Sequence, residues 1–256
     1  MKPWELAMEG KVHGEKTTRK RLDQEMVERG LLESLEKAQA LIMAGRVKVE
    51  GKPATKPGQR VRPEEAISLE PGADYFGRGG IKLAHALEHF NLDVKGMVAL
   101  DVGASTGGFT HCLLMGGAQR VYSLDVGYGQ MDYRLRQDPR VVVMERVNAR
   151  YPFSLGEEVD LATVDVSFIS LTMVLPSVVT HLKEGGAIVA LVKPQFEARR
   201  EEVGRRGVIR DPRVHARVLG RVIAWVIGRG FRLRGLVPSP ITGDKGNREF
   251  FLLLVS

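Results

Sequence analysis

From Arg78 onward, short apolar runs alternate with segments whose apolar residues recur every three or four positions. The runs fall at about 97–102, 120–125, 140–144, 159–165 and 186–192 and are rich in Val, Leu and Ala. Runs of that length, bounded by Gly, Pro or Asp, predict strands buried on both faces. The stretches between them have helical periodicity, and strand–helix alternation of this kind predicts an α/β fold with a parallel, doubly wound sheet. One helix is predicted from Arg78 to about Phe90. Another covers Asp211–Arg229, with Val214, Val218, Val222, Trp225 and Val226 on one face and Gly228 and Gly230 closing it. Two further runs, 231–237 and 249–255, are joined by S-P-I-T-G-D-K-G-N-R and can pair antiparallel, which predicts a mostly parallel sheet with an antiparallel C-terminal edge strand.

The first fifth of the chain has a different rhythm. Residues 1–20 mix charges with Gly and show no periodicity, as expected of a flexible tail. Leu22, Met26 and Val27 then share a helical face that Gly30 terminates, and Ser34 is placed to cap a second helix in which Ala38, Leu41 and Ile42 face inward, ending at Gly45. Arg46-Val47-Lys48-Val49 alternates basic with apolar positions and predicts a strand with a positive outer face. A last strand is expected at Ala66–Leu69. The resulting organisation is a tail at 1–20, a small α+β domain at 21–69, a linker at 70–77 and the α/β domain at 78–256.

The densest turn in the α/β domain is Val98–Thr110, V-A-L-D-V-G-A-S-T-G-G-F-T. A buried strand running through a Gly-rich turn into a helix is how open α/β sheets build ligand sites. Gly103, Gly107 and Gly108 do not keep the G-x-G-x-x-G spacing of a dinucleotide fold. Gly103-Ala104-Ser105-Thr106-Gly107 formally fits a G-x-S-x-G nucleophile elbow, whose partners would have to be Asp211 and His215. An S-adenosylmethionine site uses the same strand and turn with looser glycine spacing. Asp125, about 20 positions beyond the turn, suits ribose hydroxyls and favours the adenosyl ligand.

Composition narrows the partners. The net charge is +7, and residues 1–62 hold 14 Lys and Arg against 9 Asp and Glu. A second basic zone spans 193–221, with nine basic and four acidic side chains, so a polyanion gripped at two places is expected. Cys112 is the single cysteine, which leaves no role for disulfides. No apolar run approaches the ~20 residues that span a bilayer, and the N-terminal residues lack a signal-peptide core, so a cytoplasmic location without membrane contact is expected. His85-Ala86-Leu87-Glu88-His89 matches H-x-x-E-H, but no further ligand accompanies it and no metal is expected.

Two resemblances give these patterns a chemistry. R-L-D at 21–23, R-G-L at 29–31, Ser34, Lys37-Ala38, G-R-V-K-V-E-G-K at 45–52 and K-P-G at 56–58 resemble the S4 RNA-binding domain. The departure is Leu35, where that family usually has Arg. Arg21, Lys37, Arg46 and Lys48 are the candidates for phosphate contact. From D-V-G-A-S-T-G-G-F-T through D-V-G-Y-G-Q-M-D-Y-R, D-V-S-F-I-S-L, V-K-P-Q-F-E and G-N-R-E-F-F, the rest resembles the TlyA family, also called hemolysin A. These are S-adenosylmethionine-dependent rRNA 2′-O-methyltransferases with an FtsJ-like, Rossmann-like methyltransferase sheet. The resemblance implies methylation of cytidine ribose in 16S and/or 23S rRNA within ribosomal subunits, with no obligatory protein partner.

Methylating a ribose hydroxyl is an in-line displacement at a sulfonium methyl, and the enzyme must align the oxygen and remove its proton. The resemblance makes Lys82, Asp165, Lys193 and Glu249 the catalytic set. Lys193 would orient or deprotonate the hydroxyl, Lys82 would act on it through like charge, and Asp165 and Glu249 would hold the ammonium groups. Asp101 and the backbone of Gly103, Ser105, Gly107, Gly108 and Phe109 would face the methionine and ribose portion of the cofactor. Asp125, with Val126 beside it, would take the ribose hydroxyls, Asn148 the adenine edge, and Phe168 would pack against the cofactor. Arg205 and Arg206 would hold RNA near the centre. The [N/D]-P-P-[Y/F] turn of amine methylation is missing, and Cys112 lies within a helix where it cannot serve as the nucleophile of carbon methylation.

Overall fold

A computed structural model describes residues 19–32, 34–43, 45–69, 77–204, 207–243 and 245–255. Most of the expected tail and linker, and both Arg205 and Arg206, lie outside the described residues. In the N-terminal domain the elements are β1 (Lys20–Arg21), α1 (Leu22–Glu28), α2 (Leu35–Met43), β2 (Val47–Val49), β3 (Lys52–Ala54), β4 (Arg60–Val61) and β5 (Ile67–Leu69). Ser34 caps α2 as its position predicts, its Oγ accepting the Lys37 N–H at 3.2 Å. Gly30 follows α1 at φ +70°, a conformation that ends a helix at little steric expense. β2 lies between β3 and β5, antiparallel to both. Leu22, Met26, Ala38, Leu41, Ile42 and Val47 make the core beneath, all fully buried.

The second domain contains α3 (Gly77–His89), β6 (Val98–Val102), α4 (Gly108–Met115), β7 (Arg120–Asp125), α5 (Tyr133–Arg136), β8 (Val141–Glu145), β9 (Val159–Val164), α6 (Leu171–Val179), β10 (Leu182–Val192), α7 (Pro194–Glu197), α8 (Pro212–Gly228), β11 (Arg232–Pro238) and β12 (Phe250–Val255). The sheet order is β11-β12-β10-β9-β6-β7-β8, with β10, β9, β6, β7 and β8 parallel. β12 is antiparallel to both β10 and β11. The antiparallel ending was expected, but the C-terminal strand is not the edge. β12 inserts one place inward and β11 takes the rim, because Phe251, Leu252 and Leu254 need cover on both sides, whereas β11 alternates exposed and half-buried residues over most of its length.

Helices cover both faces of the sheet. Side chains of α6 and α8 fill one layer with Leu171, Val174, Leu175, Val178, Val222 and Val226. α3 and α4 fill the other with Leu83, Leu87, Phe109 and Leu113. Asp211 caps α8 by accepting the Arg213 N–H at 2.8 Å, with Pro212 in the first helical position. Strand order reverses between β6 and β9, so their carboxyl ends frame the crevice where open α/β sheets bind ligands. Among the described residues, no helix is long and apolar enough to cross a membrane.

Candidate active site

At the crevice the chain leaves β6 through Gly103, which sits at φ +86°. A Cβ there would overlap the main-chain oxygen of Asp165 at the end of β9, so contact between the two strand ends demands glycine. Ser105 follows at φ +49°, and its N–H donates to Asp125 Oδ2 at 2.8 Å. Gly127 N–H donates to Asp125 Oδ1 at 2.7 Å. Asp125 thus staples the turn to the end of β7 with two of its roughly four acceptor sites. Gly107, at φ +94°, is the N-cap of α4, where a Cβ would meet Leu135. Gly108 begins the helix, whose first turn leaves N–H groups without a partner inside the helix.

One expected contact changes here. Asp101 does not face a ligand: it is fully buried, accepting Thr110 Oγ1 at 2.7 Å and Thr163 Oγ1 at 3.1 Å, while Thr110 also pairs with Ser123 Oγ. Burial pushes its carboxyl up to about 7 against the lowering effect of the two threonine hydroxyls. It is a brace under the turn, because a side chain on the fourth residue of a strand covered on both faces has no route to solvent. The Phe109 ring is also in the core, tilted against Phe251 at 6.1 Å, so only its backbone can serve the crevice. Val126 and Asn148 are exposed beyond β7 and β8, with Asn148 Oδ1 accepting the Arg150 N–H at 3.0 Å.

The four charged residues form two ion pairs. Lys82 Nζ lies 2.6 Å from Glu249 Oε2, both side chains buried. Lys193 Nζ lies 2.6 Å from Asp165 Oδ1 and donates to Ser167 Oγ at 2.8 Å. Lys193 stops at the mouth of β10 because Pro194 opens α7. Glu197 in α7 accepts from Ser170 Oγ and the Leu171 N–H, tying that helix to the head of α6; burial raises its carboxyl. Lys193 and Glu249 line one cavity of about 280 Å³ with Ser167, Phe168, Gln195 and Asn247. Phe168 is 90% exposed at φ +63°, its ring 4.9 Å from that of Phe196.

Residues 75–255 match the FtsJ-like methyltransferase family and residues 20–67 the S4 domain. TlyA of Mycobacterium tuberculosis, a 16S/23S rRNA (cytidine-2′-O)-methyltransferase, is 46% identical over 92% of this chain and 90% of its own. The chain belongs to the TlyA family of rRNA 2′-O-methyltransferases. YqxC of Bacillus subtilis, which carries an rRNA methyltransferase name, is 48% identical over 92% of this chain and 85% of its own. A solved structure described as a hemolysin, from Streptococcus thermophilus, superimposes with a TM-score of 0.70 at 42% identity, covering 94% of this chain and 89% of that one.

For a TlyA-family chain the remaining candidates separate clearly. In the S4 domain, Arg21 is engaged with Asp23 at 2.6 Å. Burial pushes Asp23 up, but hydrogen bonds from Arg21, Gln39 and the Gln24 amide outweigh it and hold the carboxyl below its ordinary value. Arg46 approaches Glu88 of α3 at 3.6 Å, and Lys37 and Lys48 are half-buried. The serine-elbow alternative fails: Asp211 caps α8, and His215 is buried with Nε2 3.2 Å from the Ile209 carbonyl oxygen. His85 and His89 stack with ring centroids 6.2 Å apart, and no cluster of three or more His, Cys, Asp or Glu among the described residues could hold a metal. Cys112 is buried, its thiol pushed up to about 12 by that burial. The motif pattern does not distinguish Ser167, Gln195 and Asn247, although D-V-S-F, K-P-Q-F-E and G-N-R-E contain them. Asn247 is buried and holds the neighbouring loop through the Ile209 N–H and the Gly207 carbonyl, both at 2.9 Å.

Proposed function

We propose that this protein transfers a methyl group from S-adenosylmethionine to the 2′-hydroxyl of a cytidine in 16S or 23S ribosomal RNA. The observation that carries this is the pairing of two lysines with two carboxylates beside one cavity at the switch point of a methyltransferase sheet. The donor set of the neighbouring turn fits the cofactor. Asp125 retains acceptor sites for ribose hydroxyls, and the first turn of α4 supplies N–H donors for a carboxylate. When bound, S-adenosylmethionine supplies an electrophilic methyl on a positively charged sulfur.

The chain's own task is to present an oxygen in line with that methyl and take its proton. Lys193 Nζ is the lining atom we assign to the acceptor hydroxyl, held in place by Asp165 and Ser167. Lys82 and Glu249 form the second, drier wall, and Glu249 reaches the cavity itself. The S4 domain and the Arg-rich segment after Lys193 grip phosphates, which positions the ribose without reading bases. The test is to incubate the protein and S-adenosylmethionine with 30S and 50S subunits lacking these marks, then map 2′-O-methyl groups. Marks on specific cytidines are expected. Absence of transfer, or methylation of a base atom, would overturn the proposal.

A further inference from the structure

The two elements that supply Lys82 and Glu249 share a second property. α3 places Ile81 directly before Lys82, and the segment between β11 and β12 places Ile241 ahead of Glu249. Both isoleucines are buried, 5% and 3% exposed, and both pack in the apolar cluster of the N-terminal domain with Leu22, Met26 and Ile42. Neither belongs to the core of the domain whose chain it is part of. Leu83, Ala86 and Leu87 of the same helix do, facing the catalytic sheet, so α3 has two buried faces. Three polar contacts follow the same line. Arg78, in the first turn of α3, donates to the carbonyl of Thr242, the residue after Ile241. Arg46 of the N-terminal domain meets Glu88 of α3, and Lys82 meets Glu249.

We propose that Ile81 and Ile241 are positioning residues through which the docked RNA-binding domain sets the Lys82–Glu249 pair. Two segments from opposite ends of the catalytic domain are plugged into one foreign core and clipped together by Arg78 and Lys82. The N-terminal domain therefore fixes their spacing, and the part of the protein that holds RNA also completes the reacting centre. Small displacements of groups that align a transfer reaction lower its rate steeply, so loosening either plug should slow chemistry without weakening cofactor binding at the Gly103–Gly108 turn. The inference rests on Lys82 and Glu249 serving catalysis.

The test uses the full chain carrying Ile81→Ala, Ile241→Ala, Ile241→Val, Val27→Ala or Lys82→Ala. S-adenosylmethionine binding is measured by calorimetry, and single-turnover methyl transfer at saturating ribosomal RNA is expressed per molecule that binds cofactor, which removes any unfolded fraction. Ile81→Ala and Ile241→Ala are expected to slow transfer about tenfold with cofactor affinity unchanged, and Ile241→Val to restore most of the rate. Val27→Ala loosens α1 against the same cluster and is expected to lower the melting temperature while leaving the rate as it was. Wild-type rates in both isoleucine-to-alanine variants, or equal slowing by Val27→Ala, would overturn the proposal. Wild-type rate in Lys82→Ala would instead overturn the catalytic assignment beneath it.

Discussion

The turn after β6 and the cavity beside Lys193 lie at the same edge of one sheet, yet they are built from different material. The turn is main chain: Gly103, Ser105 and Gly107 all have positive φ, and two backbone N–H groups hold Asp125. Its side chains either sink beneath it, as those of Asp101 and Phe109 do, or are exposed, as those of Ser105 and Thr106 are. The cavity is side chain, assembled from the ends of β9 and β10, from α7 and from the segment before β12, with Lys82 of α3 reaching in through Glu249. A backbone site resists added atoms and is indifferent to many side chains. A side-chain site has the opposite tolerance.

This contrast can be broken by substitution. The largest effect is expected at Lys193. Lys193→Ala should lower methyl transfer at least ~100-fold while S-adenosylmethionine still binds, as read by rapid-quench and calorimetric assays. Loss of cofactor binding in that variant would mean that the two regions are not separate. Gly103→Ala comes next. Its methyl group would enter the Asp165 carbonyl at a backbone angle unfavourable to alanine, so about 1–3 kcal/mol of stability and most cofactor affinity should be lost, measured by denaturant melts and titration. Asp125→Asn removes the charge and leaves one of the two stapling N–H groups facing an amide nitrogen, and should weaken cofactor at least about tenfold without changing the single-turnover rate at saturation. An altered saturated rate would assign Asp125 to the chemistry.

The smallest effect concerns the brace beneath the turn. Burial raises Asp101 from its ordinary 3.8 to about 7, so between those values the folded protein keeps a proton that the unfolded chain has released. Stability from this group is fully present below the unfolded value and is lost as pH rises through the folded one. Asp101→Asn removes that dependence, so its melting temperature relative to wild type should rise by a few degrees between about pH 5 and about pH 8. A constant difference by scanning calorimetry would show that Asp101 is ionised throughout.

Much of this was legible in the chain. The strands at 98–102, 120–125 and 159–164 could be read because each is a nearly unbroken apolar run between turn residues, and the capping roles of Ser34 and Asp211 followed from their places before helical periods. Side-chain destinations were harder. The sheet order that places β12 inside β11 depends on pairings no local pattern encodes. Asp101 looked like a ligand contact because it borders the turn, but its burial depends on Thr163, 62 residues away. Ser167 and Asn247 are small polar residues that acquire meaning only once Lys193 and the 207–209 segment come to rest against them.

The inward position of β12 also bears on how the protein is made. β10 and β11 cannot pair with each other; each waits for residues 250–255, which a ribosome delivers after both. The N-terminal domain pairs its strands within about 50 residues and can settle early in synthesis, whereas the catalytic sheet closes only as its late-made strand slides between two waiting neighbours. Because Glu249 stands at the threshold of that strand, the same event that seals the sheet delivers the final charged group.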